Sequence, residues 1–214
     1  MKLELIVAGV GGQGSILASH LIADAAIAYG ERTGEQVTVR VGETFGAAMR
    51  GGAVASHVHI GKVEGLLVAQ SRADVVLALE PLEGLRIGAQ YLGQGGLALL
   101  NTSPIPPLDA KTGAALYPTR EAIEEALKAL GAKVLWVDGT AIATTAGDLR
   151  TMNVAMVGAL FGSGLLPVGE EDLIKVIRER VPPKTIDKNL KAFQLGQAAV
   201  AGLGPPRPSA TRWS

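Results

Sequence analysis

The sequence predicts an α/β fold built on a mostly parallel, Rossmann-like sheet, and three observations carry that prediction. Short apolar runs alternate along the chain with longer Ala- and Leu-rich segments of helical periodicity. The first run, Leu3 to Ala8, breaks into the glycine-rich turn Gly9-Val10-Gly11-Gly12-Gln13-Gly14, and a helical pattern opens directly after it. Two later runs, Ala73–Glu80 and Leu97–Asn101, are apolar without alternation, as strands covered by helices on both faces must be.

Bulk properties narrow the class. The chain has 214 residues, 48% apolar and 19% charged, enough for one sizeable packed core. Lys and Arg total 20 and so do Asp and Glu, so no bulk charge favours nucleic acid or an anionic membrane. With no cysteine, the chain can form neither a disulfide nor a Cys-ligated zinc or iron–sulfur site. The amino terminus shows no secretory pattern, and no apolar run approaches the ~18 residues of a membrane helix. A cytoplasmic protein is expected.

Taken in order, Ser15 to Tyr29 places Ile16, Ala18, Ile22, Ala23, Ala26 and Ile27 at helical spacing, with Gly30 as terminator and 31–36 as a polar turn. Val37, Val39 and Val41 alternate as a strand, and this first β-α-β unit is expected to cross over right-handed into a parallel sheet. Residues 42–52 are small and glycine-rich around Phe45 and Met49. Ala53 to Ile60 alternates, with Val54, Ser56, Val58 and Ile60 on one face and His57 and His59 on the other. Gly61-Lys62 reads as a hairpin turn into a strand over 63–68, which would make the sheet mixed. Pro81 suits the first position of a helix running to about Leu92. Residues 102–119 are Pro-rich and extended, Thr119 can cap a helix over 120–130, and Lys133–Val137 is the last strand. Helices follow at about 140–147, 151–163, 170–180 and 185–201. Residues 1–203 are expected to form a single domain and 204–214 a flexible tail.

Gly9, Gly11 and Gly14 match GxGxxG in a strand–turn–helix context. A dinucleotide site also needs an acidic residue closing the second strand about 20 residues on. Glu43 is the nearest candidate, past Gly42 and away from a clean strand end. Three readings stay open for the turn: a dinucleotide, another phosphate-bearing ligand or subunit contact, and a structural turn. Arg50-Gly51-Gly52 is a second sharp loop, in which Arg50 offers a planar fork to phosphate or carboxylate, or else a solvated turn residue. His57 and His59 share a strand face but lack further ligands at metal spacing. Asn101 and Asp138 end strands on the expected carboxyl edge of the sheet, and Asn153 starts a helix. No nucleophile–base arrangement and no paired carboxylates are visible.

Jointly, GVGGQG after the first strand, MRGGAVASHVHIG, the strand ADVVLALE, Asn153 with Val157-Gly158-Ala159-Leu160, and Asn189 with Ala192-Phe193 and Gly196 resemble the gamma-type subunit of 2-oxoacid:ferredoxin oxidoreductases. The likeness runs in order from about residue 3 to 200, and the ETFGAAMRGG stretch is closest to the indolepyruvate branch. The resemblance implies a three-layer α/β/α domain in an enzyme that oxidatively decarboxylates a 2-oxoacid to an acyl-CoA and passes electrons to ferredoxin. It implies a partner, the large subunit that bears thiamine diphosphate and iron–sulfur clusters. This chain would hold no metal, no catalytic residue and no tightly held cofactor, with coenzyme A as its candidate small ligand. Gly9, Gly11, Gly12, Gln13 and Gly14 would form the loop facing ligand or partner, with Arg50, Gly51 and Gly52 beside it. Isolated from its partner, the chain is expected to be inactive and to self-associate as a homodimer.

Overall fold

The computed structural model describes residues 2–46, 52–62, 65–201 and 203. Strand β1 (Leu3–Val10) is buried along its whole length. Its pleat sends Leu3, Leu5 and Val7 into one core and Ile6 and Ala8 into the other. On one side of it, β4 (Ala73–Ala78), β5 (Leu92–Asn101) and β6 (Lys133–Val137) add in parallel. On the other side lies β3 (Ala53–Ile60), antiparallel to β1, and beyond it β2 (Val39–Phe45), antiparallel to β3. The six-stranded order is β2-β3-β1-β4-β5-β6. Among the described strands, β3 alone runs against the rest, so the sheet is mostly parallel and mixed.

This arrangement corrects two expectations. The strands of the first β-α-β unit run parallel but are not neighbours, because β3 sits between them. Burial explains the order: β3 is covered on both faces over most of its length, whereas β2 is only half-buried, with Arg40 exposed, and suits an edge. The second correction concerns the hairpin after Ile60. Positions 63 and 64 lie outside the described residues, and 65–68 form bends rather than a strand. The antiparallel partners of β3 are instead β1 and β2. The 65–68 segment lies across the sheet face, where the Val68 N–H donates to His57 Nδ1 at 3.1 Å.

Helices complete three layers. On one face pack α1 (Ser15–Thr33), α6 (Met152–Gly162), α7 (Glu170–Arg180) and α8 (Ile186–Val200). On the other lie α2 (Pro81–Tyr91) and α4 (Arg120–Ala129). Two shorter helices, α3 (Leu108–Lys111) and α5 (Gly139–Ala146), follow β5 and β6. Helix α1 runs past Gly30 to Thr33 and stops at Gly34, whose φ of 77° is left-handed. Gly30 is a packing residue: a Cβ there would stand 2.8 Å from the Glu35 carbonyl oxygen. Arg32 ties α1 to α7 through two 2.8 Å hydrogen bonds to Asp172, and this pairing holds the Asp172 carboxyl below the usual carboxylate range. The α6–α8 contact depends on missing side chains, since a Cβ on Gly158 would strike the Phe193 carbonyl and one on Gly196 the Ala155 carbonyl. That is the physical content of the small-residue spacing in the two terminal motifs.

Candidate functional site

Because β1, β2, β4, β5 and β6 share a direction, their carboxyl ends and the start of β3 meet along one edge. Open α/β sheets place ligands at such an edge. The turn after β1 and the start of β3 are joined there: the Gly11 N–H donates to the Gly52 carbonyl at 2.9 Å. Gly52 therefore stands beside the glycine loop, while Arg50 and Gly51 lie outside the described residues.

The loop's shape comes from glycine and from three side-chain amides. Gly12 (φ 101°) and Gly14 (φ 82°) both occupy the left-handed region, where an L side chain is strained. Gly9 allows close packing, as a Cβ there would lie 2.8 Å from Ser15 Oγ and 2.9 Å from Gln13 Oε1. Gln13 bends back into the fold, accepting from the Val10 N–H at 2.8 Å and donating to the Leu79 carbonyl at 2.9 Å. Asn101 donates to the same Leu79 carbonyl at 3.1 Å and accepts from the Gly139 N–H at 3.1 Å. Asn153, at the start of α6, donates from Nδ2 to the Gly14 carbonyl at 3.1 Å.

Outside this framework opens a cleft of about 520 Å³. One wall is the loop itself, through Gly11, Gly12, Gly14 and Ser15; the other is apolar, formed by Ile16, Phe45 and Val54. Phe45 is 63% exposed and Ile16 39%, both high for large apolar side chains. No charged side chain lines the cleft among the described residues. Its polarity comes from the end of α1: the amides of Ser15, Ile16 and Leu17 precede any intrahelical acceptor, and N-cap Gly14 supplies no side-chain cap. An uncapped helix start adjoining a cleft favours an anion, through aligned amides and the helix dipole. The Ser15 hydroxyl is buried without a partner beneath the loop.

Other polar residues singled out in the sequence take structural roles. Asp138 caps α5, accepting from the Ala141 N–H at 2.8 Å. His57 and His59 are fully buried on the face covered by 65–68, and burial, with His59 nearby, pushes the His57 pKa down to about 4. Among the described residues no three His, Asp or Glu side chains converge to hold a metal, and no helix is long and apolar enough to cross a membrane. Sequence reasoning missed Glu80 and Tyr117. The buried Glu80 carboxylate accepts from the Glu83 and Ile105 N–H groups and from the Tyr117 hydroxyl, tying the Pro-rich 102–119 segment to the sheet edge. Burial and the adjacent carboxylate raise the Tyr117 pKa. A buried acid directly before Pro81 was the available signal. Phe45 and Ile16 were visible only as apolar residues near glycines.

The fold as a whole is shared with solved oxidoreductase subunits. The gamma subunit of a keto/oxoacid ferredoxin oxidoreductase from Geobacter sulfurreducens superposes with a TM-score of 0.64 at 26% identity, over 92% of this chain and 97% of that one. The "Indolepyruvate oxidoreductase subunit IorB" of Thermococcus kodakarensis is 41% identical over 206 residues, 95% of this chain and 98% of its own length. That of Archaeoglobus fulgidus is 41% identical over 211 residues, 98% and 100% of the two chains. The family model described as pyruvate ferredoxin/flavodoxin oxidoreductase matches residues 4–199. The chain belongs to that family.

Proposed function

We propose that this chain is the small subunit of a cytoplasmic indolepyruvate-type 2-oxoacid:ferredoxin oxidoreductase, and that its glycine-loop cleft receives the phosphates of coenzyme A. The reaction converts a 2-oxoacid and coenzyme A to an acyl-CoA and carbon dioxide, with two electrons passed to ferredoxin. Full-length 41% identity to two subunits named for indolepyruvate supports the substrate class. One observation carries the ligand assignment: an uncapped helix start beside a cleft with an apolar wall. Backbone amides suit a phosphate, and Ile16, Phe45 and Val54 suit the uncharged remainder of the molecule.

A chain without cysteine cannot hold Cys-ligated clusters. In this reading the iron–sulfur clusters, and with them thiamine diphosphate, sit in the large partner subunit, which docks over the carboxyl edge. Alone, this chain turns over no substrate and pairs with a second copy.

The experiment is co-expression with the large subunit, followed by kinetics of an Ile16→Asp variant. Asp in a first helical turn is tolerated by the dipole, so the fold is retained while a carboxylate enters the cleft. The expected result is a stable complex whose KM for coenzyme A rises at least tenfold, with the KM for the 2-oxoacid unchanged. No complex, or an unchanged KM for coenzyme A, overturns the proposal.

A further inference from the structure

We infer that Gln13 and Asn101 are positioning residues that clamp the glycine loop onto the Leu79 carbonyl. Each polar end of both amides makes a hydrogen bond inside the fold. Gln13 spans from the Val10 N–H (2.8 Å) to the Leu79 carbonyl (2.9 Å), and Asn101 spans from the Gly139 N–H (3.1 Å) to the same carbonyl (3.1 Å). A carbonyl oxygen has two lone pairs, and here both are taken by side chains 66 and 22 residues away in sequence. The Leu79 N–H in turn donates to the Ala8 carbonyl at 2.8 Å. One residue, Leu79, thus joins the ends of β1, β4 and β5 to the start of α5.

Gly9 makes the clamp possible, because a Cβ there would crowd Gln13 Oε1. Gln13 cannot offer a ligand what it already spends on Val10 and Leu79. What it does instead is hold the turn that aims the first amides of α1. A Glu at this position keeps the acceptor for Val10 but sets an oxygen against the Leu79 carbonyl, so Gln13→Glu opens one half of the clamp with little change in volume. The inference rests on the reading that this loop serves the cleft ligand.

The test compares Gln13→Glu and Asn101→Ala with Asn189→Ala, a control in α8 whose buried amide donates to the remote Thr185 carbonyl at 2.8 Å. Hydrogen exchange on the full isolated chain is expected to quicken at least tenfold at the hydrogen-bonded loop amides of Gly11 and Gln13 in the first two variants, with α8 unchanged, and not at those amides in the control. In the complex with the large subunit, both are expected to raise the KM for coenzyme A at least tenfold and alter kcat less than twofold. Where Asn101→Ala fails to fold, Gln13→Glu, at a half-buried site, carries the test. Unchanged loop exchange overturns the clamp, as does quickening spread equally over the chain. Quickened loop exchange with an unmoved KM overturns the positioning role. Should Ile16→Asp leave the KM for coenzyme A unmoved while the loop still loosens in Gln13→Glu, the fault lies in the ligand assignment and not in the clamp.

Discussion

Replacing Gly14 with alanine tests the loop's construction most directly. Gly14 holds φ 82° and ψ 30°, and an L residue in the left-handed region costs about 1–2 kcal/mol. The new Cβ would also land inside the van der Waals radius of Asn153 Nδ2 and displace it from the Gly14 carbonyl. Asn153 is buried, so its Nδ2 group is left unpaired at a further cost of about 1–3 kcal/mol, while its Oδ1 keeps the Val154 N–H. The single variant should lose about 2–5 kcal/mol, or roughly 5–15 °C in Tm for a chain of this size. Asn153→Ala alone should lose about 1–3 kcal/mol, because the Gly14 carbonyl keeps the Ala18 N–H while the buried Val154 N–H loses its side-chain acceptor. In the double variant the collision is gone, so its loss should fall short of the sum by more than about 1 kcal/mol. The assay is thermal and denaturant unfolding of all four chains. A Gly14→Ala loss below about 1 kcal/mol, or additivity within about 0.5 kcal/mol, refutes the reasoning.

The buried His57 should make stability depend on pH. Its folded pKa of about 4 lies below the usual value near 6.5, so the unfolded chain binds the extra proton first and stability falls as pH drops from about 6.5 to 4. Denaturant titrations should show a loss of up to roughly 3 kcal/mol across that window, flattened in His57→Gln. Gly196→Ala should cost more than about 3 kcal/mol, or prevent folding, because its Cβ meets the α6 backbone at Ala155, where relief requires moving a whole helix; chemical denaturation measures it. Tyr117→Phe should leave global stability within about 2 kcal/mol yet expose the 102–119 segment to limited proteolysis, since its hydroxyl is one of the two ties from that segment to Glu80. Phe45→Ala should change Tm little, the side chain being mostly exposed, while weakening capture of the large subunit; equal capture would count against the docking face.

Much of the fold was legible because the signals are local. Alternation in Ala53–Ile60 separates Val58 and Ile60 from His57, and the structure keeps them on opposite faces. Pro81 and Thr119 mark helix starts that the structure has at those points, Thr119 by accepting from the Ala122 N–H. The C-terminal helices follow their periodicity to within a residue or so of each end. The misreadings share one cause. Gly30 resembles a terminator, but whether a glycine ends a helix or admits a neighbour depends on what packs there, and that neighbour is the turn at Glu35. The apolar 63–68 stretch suggests a strand, but β3 had already been paired on both edges by β1 and β2.

By itself, the sequence determined the elements, the glycine turn at the end of β1 and the family, because propensity, periodicity and motif spacing are properties of neighbouring residues. Tertiary structure alone decided that β3 separates β1 from β2, that Gln13 and Asn101 meet at Leu79, and that Asn153 reaches Gly14 across 139 residues. Those are choices of partner. A buried amide must find a donor or acceptor somewhere, and which group it finds is set by the packing of distant segments and not by the residues beside it in the chain.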